Sequence, residues 1–181
     1  MFKKIFIMAV IFIAAAIAKT QAETFRGRVI KVYDGDSIAI VLLDTLEEHE
    51  IRLQAVDAPE NGQPCWRDAQ LFLAELLHGQ IVRVEVEKRD KYKRLVGRVF
   101  INETGLDVEM ELIRNGLAWH YAYYNQEPEL AKAQEKAQSE KIGIWKESAP
   151  VEPYIFRKKK RQAALQNLQP ATSQTSDPGR K

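Results

Sequence analysis

Ile51–Glu60, IRLQAVDAPE, is the stretch on which the rest of the chain depends. Ile51, Leu53 and Ala55 alternate with Arg52 and Gln54, the period of two that marks a strand with one face in a core. That period puts the Arg52 head off the core face, near the strand's end. The strand then runs into Asp57-Ala58-Pro59-Glu60, so a cation and two carboxylates arrive together.

Upstream, Phe25–Tyr33 (FRGRVIKVY) mixes apolar and basic residues in a strand rhythm, with Gly27 as a bulge or close-packing point. Asp34-Gly35 is a tight-turn signal and Ser37–Leu43 (SIAIVLL) resumes a β-rich run, which predicts a hairpin. Downstream, Asn61–Cys65 is a loop, and Ala69, Phe72, Leu73, Leu76 and Leu77 recur at helical spacing over Trp66–His78, with Gly79 as the stop. Gln80–Lys88 and Leu95–Ile101 read as strands joined by a polar connection. Asp107 is an N-cap for a short helix ending at Asn115-Gly116, and Pro128 opens a helix to about Lys141. Three strands, a helix, two strands and then helices is an α+β order; it predicts a five-stranded OB-fold barrel with about three packed helices.

The ends carry different information. Lys3 and Lys4, the uncharged apolar run Ile5–Ala18 and the small residues Thr20 and Ala22 have the form of a signal peptide. The expectation is export to the periplasm or medium, cleavage after Ala22 and no stable membrane insertion, because the apolar run falls short of the roughly 20 residues a spanning helix needs. Residues 23–149 then form one folded domain. Residues 150–181, with Pro150, Pro153, the run Arg157–Arg161 and Gln, Ser and Thr without periodicity, read as a flexible basic tail.

Charge follows the same division. The whole chain has 27 Lys and Arg against 25 Asp and Glu, but residues 23–156 hold 17 bases and 24 acids. The basic balance of the full chain therefore argues for no polyanion-binding domain, and any such affinity has to come from a local cluster. The RKKKR run is either a solvated segment or a set of phosphate contacts. Cys65 is the sole cysteine and closes no internal disulfide; burial is the expectation. His49, His78 and His120 show no metal spacing.

A carboxylate-held hard cation plus arginines matched to phosphate oxygens is what phosphodiester hydrolysis requires, since the anion repels its nucleophile and the transition state gathers charge. Asp36, Asp57, Glu60, Arg52 and Arg94 are residues of that kind at three strand ends. The pieces YDGDS, RLQAVDAPE, DKYKR, GLAWHYAYY and EKIGIW, in this order and spacing, resemble the thermonuclease family typified by secreted staphylococcal nuclease. The resemblance spans about Phe25–Trp145.

It implies a calcium ion held by Asp36, Asp57 and the Ala58 carbonyl, a chemistry that oxygen donors suit. It also implies that Glu60 orients or deprotonates the attacking water, that Arg52 and Arg94 bind the scissile phosphate, and that Tyr92 and Tyr124 contact the nucleotide. The implied substrates are DNA and RNA, single-stranded or flexible, with 3′-phosphate products and a monomeric enzyme. The alternative is a catalytically weak nucleic-acid- or protein-binding module on the same barrel. One departure bears on the site: Lys93 stands where the family commonly has glycine between the tyrosine and arginine of DKYKR. If that position needs positive φ, lysine carries strain and Arg94 is aimed differently.

Overall fold

A computed structural model describes residues 23–167, so the expected leader, residues 1–22, and the tail beyond residue 167 lie outside the described residues. Strands β1 (Glu23–Asp34), β2 (Ser37–Leu42), β3 (Glu48–Leu53), β5 (Ile81–Arg89) and β6 (Leu95–Ile101) close into a barrel in the order β1-β2-β3-β6-β5. Every neighbouring pair is antiparallel except β3 and β6, which run parallel. With its helix after the third strand, this is the expected OB-fold.

The period-two reading of β3 holds in burial: Ile51 and Leu53 are inside, and Arg52 between them faces the rim. Ile38, Ile40, Val84, Leu95 and Val99 fill the same core. Helix α1 (Trp66–Leu77) closes it with Ala69, Leu73 and Leu77, an i, i+4, i+8 stripe. Gly79, at φ +69°, ends that helix as expected. In α2 (Val108–Arg114) the Asp107 side chain accepts from Met110 N–H at 3.0 Å, and in α3 (Pro128–Ser139) Pro128 occupies the first turn. Gly27 is a close-packing point, since a Cβ there would stand 2.8 Å from the Val41 carbonyl oxygen.

Four features differ from the sequence reading. The strand through Val56 is broken: β3 ends at Leu53, and β4 (Val56–Asp57) leaves the barrel to pair with β7 (Trp119–His120). Cys65 is only partly buried, because at φ +59° it starts α1 between two clusters of the core. A 3-10 turn over Gly143–Lys146 follows α3, its Trp145 packed edge-on to Trp119 with ring centroids 4.3 Å apart.

The fourth difference is the largest. Pro153–Asn167, expected within a flexible tail, is a helix, α4. It lacks an apolar stripe, and a polar anchor, Arg157, ties it to the barrel. Among the described residues no helix is long and apolar enough to cross a membrane.

Candidate active site

Ladder register assembles the site. Ser37 pairs with Arg52 across β2 and β3, and Leu53 N–H donates to the Asp36 carbonyl at 2.9 Å, so Asp36 stands beside the Arg52 side chain. The Asp34-Gly35 turn fits closely: a Cβ on Gly35 would lie 2.7 Å from Ala58 Cβ and 2.8 Å from Ala69 Cβ. Asp57 is held by its pairing with Trp119, which aims the end of β4 back at the same rim.

The Arg52 guanidinium links the two aspartates. One arm contacts Asp36 Oδ1 and the other donates to Asp57 Oδ1 at 3.0 Å. Both acids are buried, Asp36 at 6% and Asp57 at 3% exposure. Asp36 is further held by Ala58 N–H to Oδ2 at 2.8 Å and by the Ser37 hydroxyl to Oδ1 at 3.1 Å. Burial pulls the Arg52 pKa below its ordinary value, against the raising fields of Asp57 and Asp34.

Arg157 was not among the residues singled out as a site, and it completes the cluster. Its two arms donate to Asp57 Oδ1 and Oδ2, each at 3.0 Å, and one also donates to Glu60 Oε1 at 2.6 Å. Burial lowers its pKa, but the bonds to Asp57 and Glu60 outweigh that and raise it. Glu60 itself is placed by its backbone, whose N–H donates to Gln63 Oε1 at 2.9 Å. Beside these groups a cavity of about 230 Å³ is lined by Asp34, Asp36, Ala58, Glu60, Tyr33 and Trp66 among others.

Asp36, Arg52, Asp57, Ala58 and Glu60 are thus brought together. Arg94 makes no hydrogen bond or ion pair with that cluster among the described residues. It precedes Leu95, the partner of Ile51, and its positive field reaches Arg52, but its own guanidinium is held by Asp90 through Nε and Nη2, both at 2.8 Å. The turn is built by Asp90, whose Oδ1 accepts from the N–H groups of Tyr92 and Arg94, and burial of the acid is outweighed by these bonds, so its pKa is lowered. Lys93 adopts φ +68° in that turn.

The two tyrosines stand on separate turns. Tyr92 is exposed over Arg94, whereas Tyr124 packs edge-on with Tyr121 and Tyr123, ring centroids 4.9 Å apart, and under the Lys88 ammonium. Burial, then the field of Asp57, raises the phenol pKa of Tyr121. The sequence signal for Tyr121 was its place in the HYAYY run; for Arg157 it was only the charge run.

The donor set is all oxygen, with room beside Asp36, Ala58 and Glu60 for an ion and its waters; for Asp57 to join them, Arg157 would have to release both of its carboxylate oxygens. An all-oxygen set fits a hard cation. Among the described residues no group of three or more His, Cys, Asp or Glu is arranged around a metal position, so a bound ion would rely on Asp36, Asp57, a carbonyl and water.

Comparison with known proteins gives the family. The family model for staphylococcal nuclease homologues matches residues 50–147. An uncharacterized endonuclease of Escherichia coli O157:H7 is 37% identical over 134 residues, covering 74% of this chain and 86% of that protein. An uncharacterized endonuclease of Haemophilus influenzae is 28% identical over 159 residues, 88% of each chain. The probable staphylococcal-like nuclease CAN1 of Oryza sativa subsp. japonica is 32% identical over 160 residues, but those cover only 48% of its length against 80% of this chain. The match runs through the strand of Arg52, the Asp57–Glu60 turn and the Asp90–Arg94 turn, and the chain belongs to the staphylococcal nuclease homologue family.

Proposed function

We propose that the protein is an exported, calcium-dependent endonuclease that hydrolyses DNA and RNA with low sequence specificity. The observation that carries this reading is Arg52 held between Asp36 and Asp57, with Glu60 in the adjoining turn. Nuclease relatives support the reaction class.

In this mechanism Asp36, Asp57 and the Ala58 carbonyl would hold the ion once Arg157 releases Asp57. A calcium ion there would supply charge that neutralises the scissile phosphate and stabilises the pentacovalent transition state. Arg52, preorganised by its two aspartates, donates to the equatorial oxygens. Arg94 leaves part of its Asp90 bonding to donate a second pair. Each arginine is worth about 3 to 4 kcal/mol in the barrier, the scale for one preorganised donor. Glu60 accepts the proton of the attacking water as the water oxygen bonds to phosphorus; the bond to the in-line ester oxygen breaks, and that oxygen takes a proton from solvent to leave as the alcohol. Tyr92 and Tyr124 offer exposed faces for unpaired bases, worth about 1 to 3 kcal/mol per stacked base, which favours single-stranded or flexible substrate. The protein acts as a monomer in the periplasm or medium.

The test is digestion of heat-denatured DNA with calcium or with excess chelator. Cleavage that stops on chelation and returns with calcium is expected; equal cleavage in both, or none in either, refutes the calcium mechanism.

A further inference from the structure

The surface of α4 carries a charge that the barrel lacks. Residues 23–156 hold 17 bases against 24 acids, a poor surface for a polyanion. Pro153–Asn167 contributes Arg157, Lys158, Lys159, Lys160 and Arg161 with no acid. Lys158 to Arg161 are exposed, and none makes an ion pair among the described residues.

This helix is docked, and it is docked at the site. Gln63 Nε2 donates to the Val151 carbonyl at 2.8 Å, Phe156 Cζ comes within 3.6 Å of a Cβ position on Gly62, and Arg157 grips Asp57 and Glu60. Apolar burial alone does not explain the placement, since along α4 only Pro153 is buried and only Phe156 and Arg157 are partly so. A helix this polar is held by specific partners. Arg161 lies one turn beyond Arg157 on the same face, about 6 Å along the axis, and Lys160 flanks it. The cationic row therefore begins at the catalytic acids and leads away from them.

We propose that α4 is a binding arm for the phosphodiester backbone of the substrate, in which Lys158, Lys160 and Arg161 take phosphates flanking the scissile one and Arg157, which ties the arm to Asp57 and Glu60 in the free protein, gives up those bonds when the site is filled. This rests on the nuclease reading and names the surface that captures its substrate. Phosphate contacts carry no base information, so the arm agrees with low sequence specificity.

The test replaces Lys158, Lys160 and Arg161 by Gln in the full protein. Binding of a fluorescent oligothymidylate about 16 nucleotides long is followed by anisotropy in chelator across a salt series, so that no cleavage is needed. A control variant, Lys132→Gln/Lys136→Gln/Lys141→Gln, removes the same charge elsewhere. The arm variant should lose tenfold or more in affinity and flatten the log–log salt slope by about 0.7 for each phosphate it no longer neutralises, and the control should keep both. An unchanged slope in the arm variant, or an equal loss in the control, overturns the proposal. So does loss of binding to anionic phospholipid vesicles with oligonucleotide affinity intact, which would make the surface a membrane contact. Loss of binding in the arm variant alone, from a wild-type protein that fails to cleave with calcium, sustains the arm and sinks the nuclease reading.

Discussion

Lys93 sits at φ +68° in the turn that delivers Arg94, and Lys93→Gly tests how that turn is held. A non-glycine residue in the left-handed region carries about 1 to 2 kcal/mol of steric cost. Glycine removes it, but its freer unfolded chain returns roughly 0.5 to 1 kcal/mol. The Lys93 side chain is exposed and forms no ion pair among the described residues, so little else changes. The backbone bonds survive: Lys93 N–H to the Asp90 carbonyl at 3.0 Å, and Asp90 N–H to the Arg94 carbonyl at 3.0 Å. The net expectation is a gain of about 0.5 to 1 kcal/mol, a rise in Tm of about 2 to 4 °C. Urea unfolding at matched m-value measures it. The same Asp90 bonds aim Arg94 in either variant, so cleavage should change by less than about threefold, well under the effect of removing one donor. A loss of stability, or a large gain in rate, would refute the idea that Asp90 rather than residue 93 sets the turn.

Two other perturbations probe the barrel and the site together. Gly35→Ala drives a Cβ to 2.7 Å from Ala58 and 2.8 Å from Ala69; it should cost about 1 to 3 kcal/mol by overpacking and slow cleavage by shifting the Ala58 to Asp36 bond, and stability within 0.5 kcal/mol of wild type, about the scale of a neutral surface change, would count against that fit. Glu109 is fully buried on α2, facing Arg98 on β6 and the Asp107 cap, and burial pushes its carboxyl up to about 8 against the pull of Arg98. Because its folded pKa lies above the unfolded one, its contribution is complete below the unfolded pKa and is lost as pH rises through about 8. Glu109→Gln should therefore flatten the fall in stability between those limits, which is at most about 1.4 kcal/mol per pH unit; parallel stability curves would contradict it.

Much of this architecture is legible from local rules. The period of β3, the Asp107 cap, Pro128 at a helix start and the Gly79 stop each act within a few residues, and each stands where those rules put it. Asp36, Arg52, Asp57 and Glu60 converge because strand register does the rest. What escaped was non-local. α4 has no apolar period to announce it, and its anchor partners lie 97 and 100 residues away in Glu60 and Asp57. The β4 and β7 pair is two residues long on each side, too short to carry a pattern. Arg98 has no local sequence signal for its role, yet it gathers Asp107, Glu109 and Glu127 from two helix starts. Lys93 was legible as a question, and its φ answers half of it: the residue is strained, while Arg94 is held by Asp90.

The most direct test of the central claim is the single-turnover rate of calcium-supported cleavage of heat-denatured DNA by wild type and by Arg94→Ala/Glu60→Ala. The account predicts a wild type that cleaves and a double variant slower by at least about 10² to 10³, the effect of removing one donor. A double variant that cleaves at the wild-type rate would contradict it.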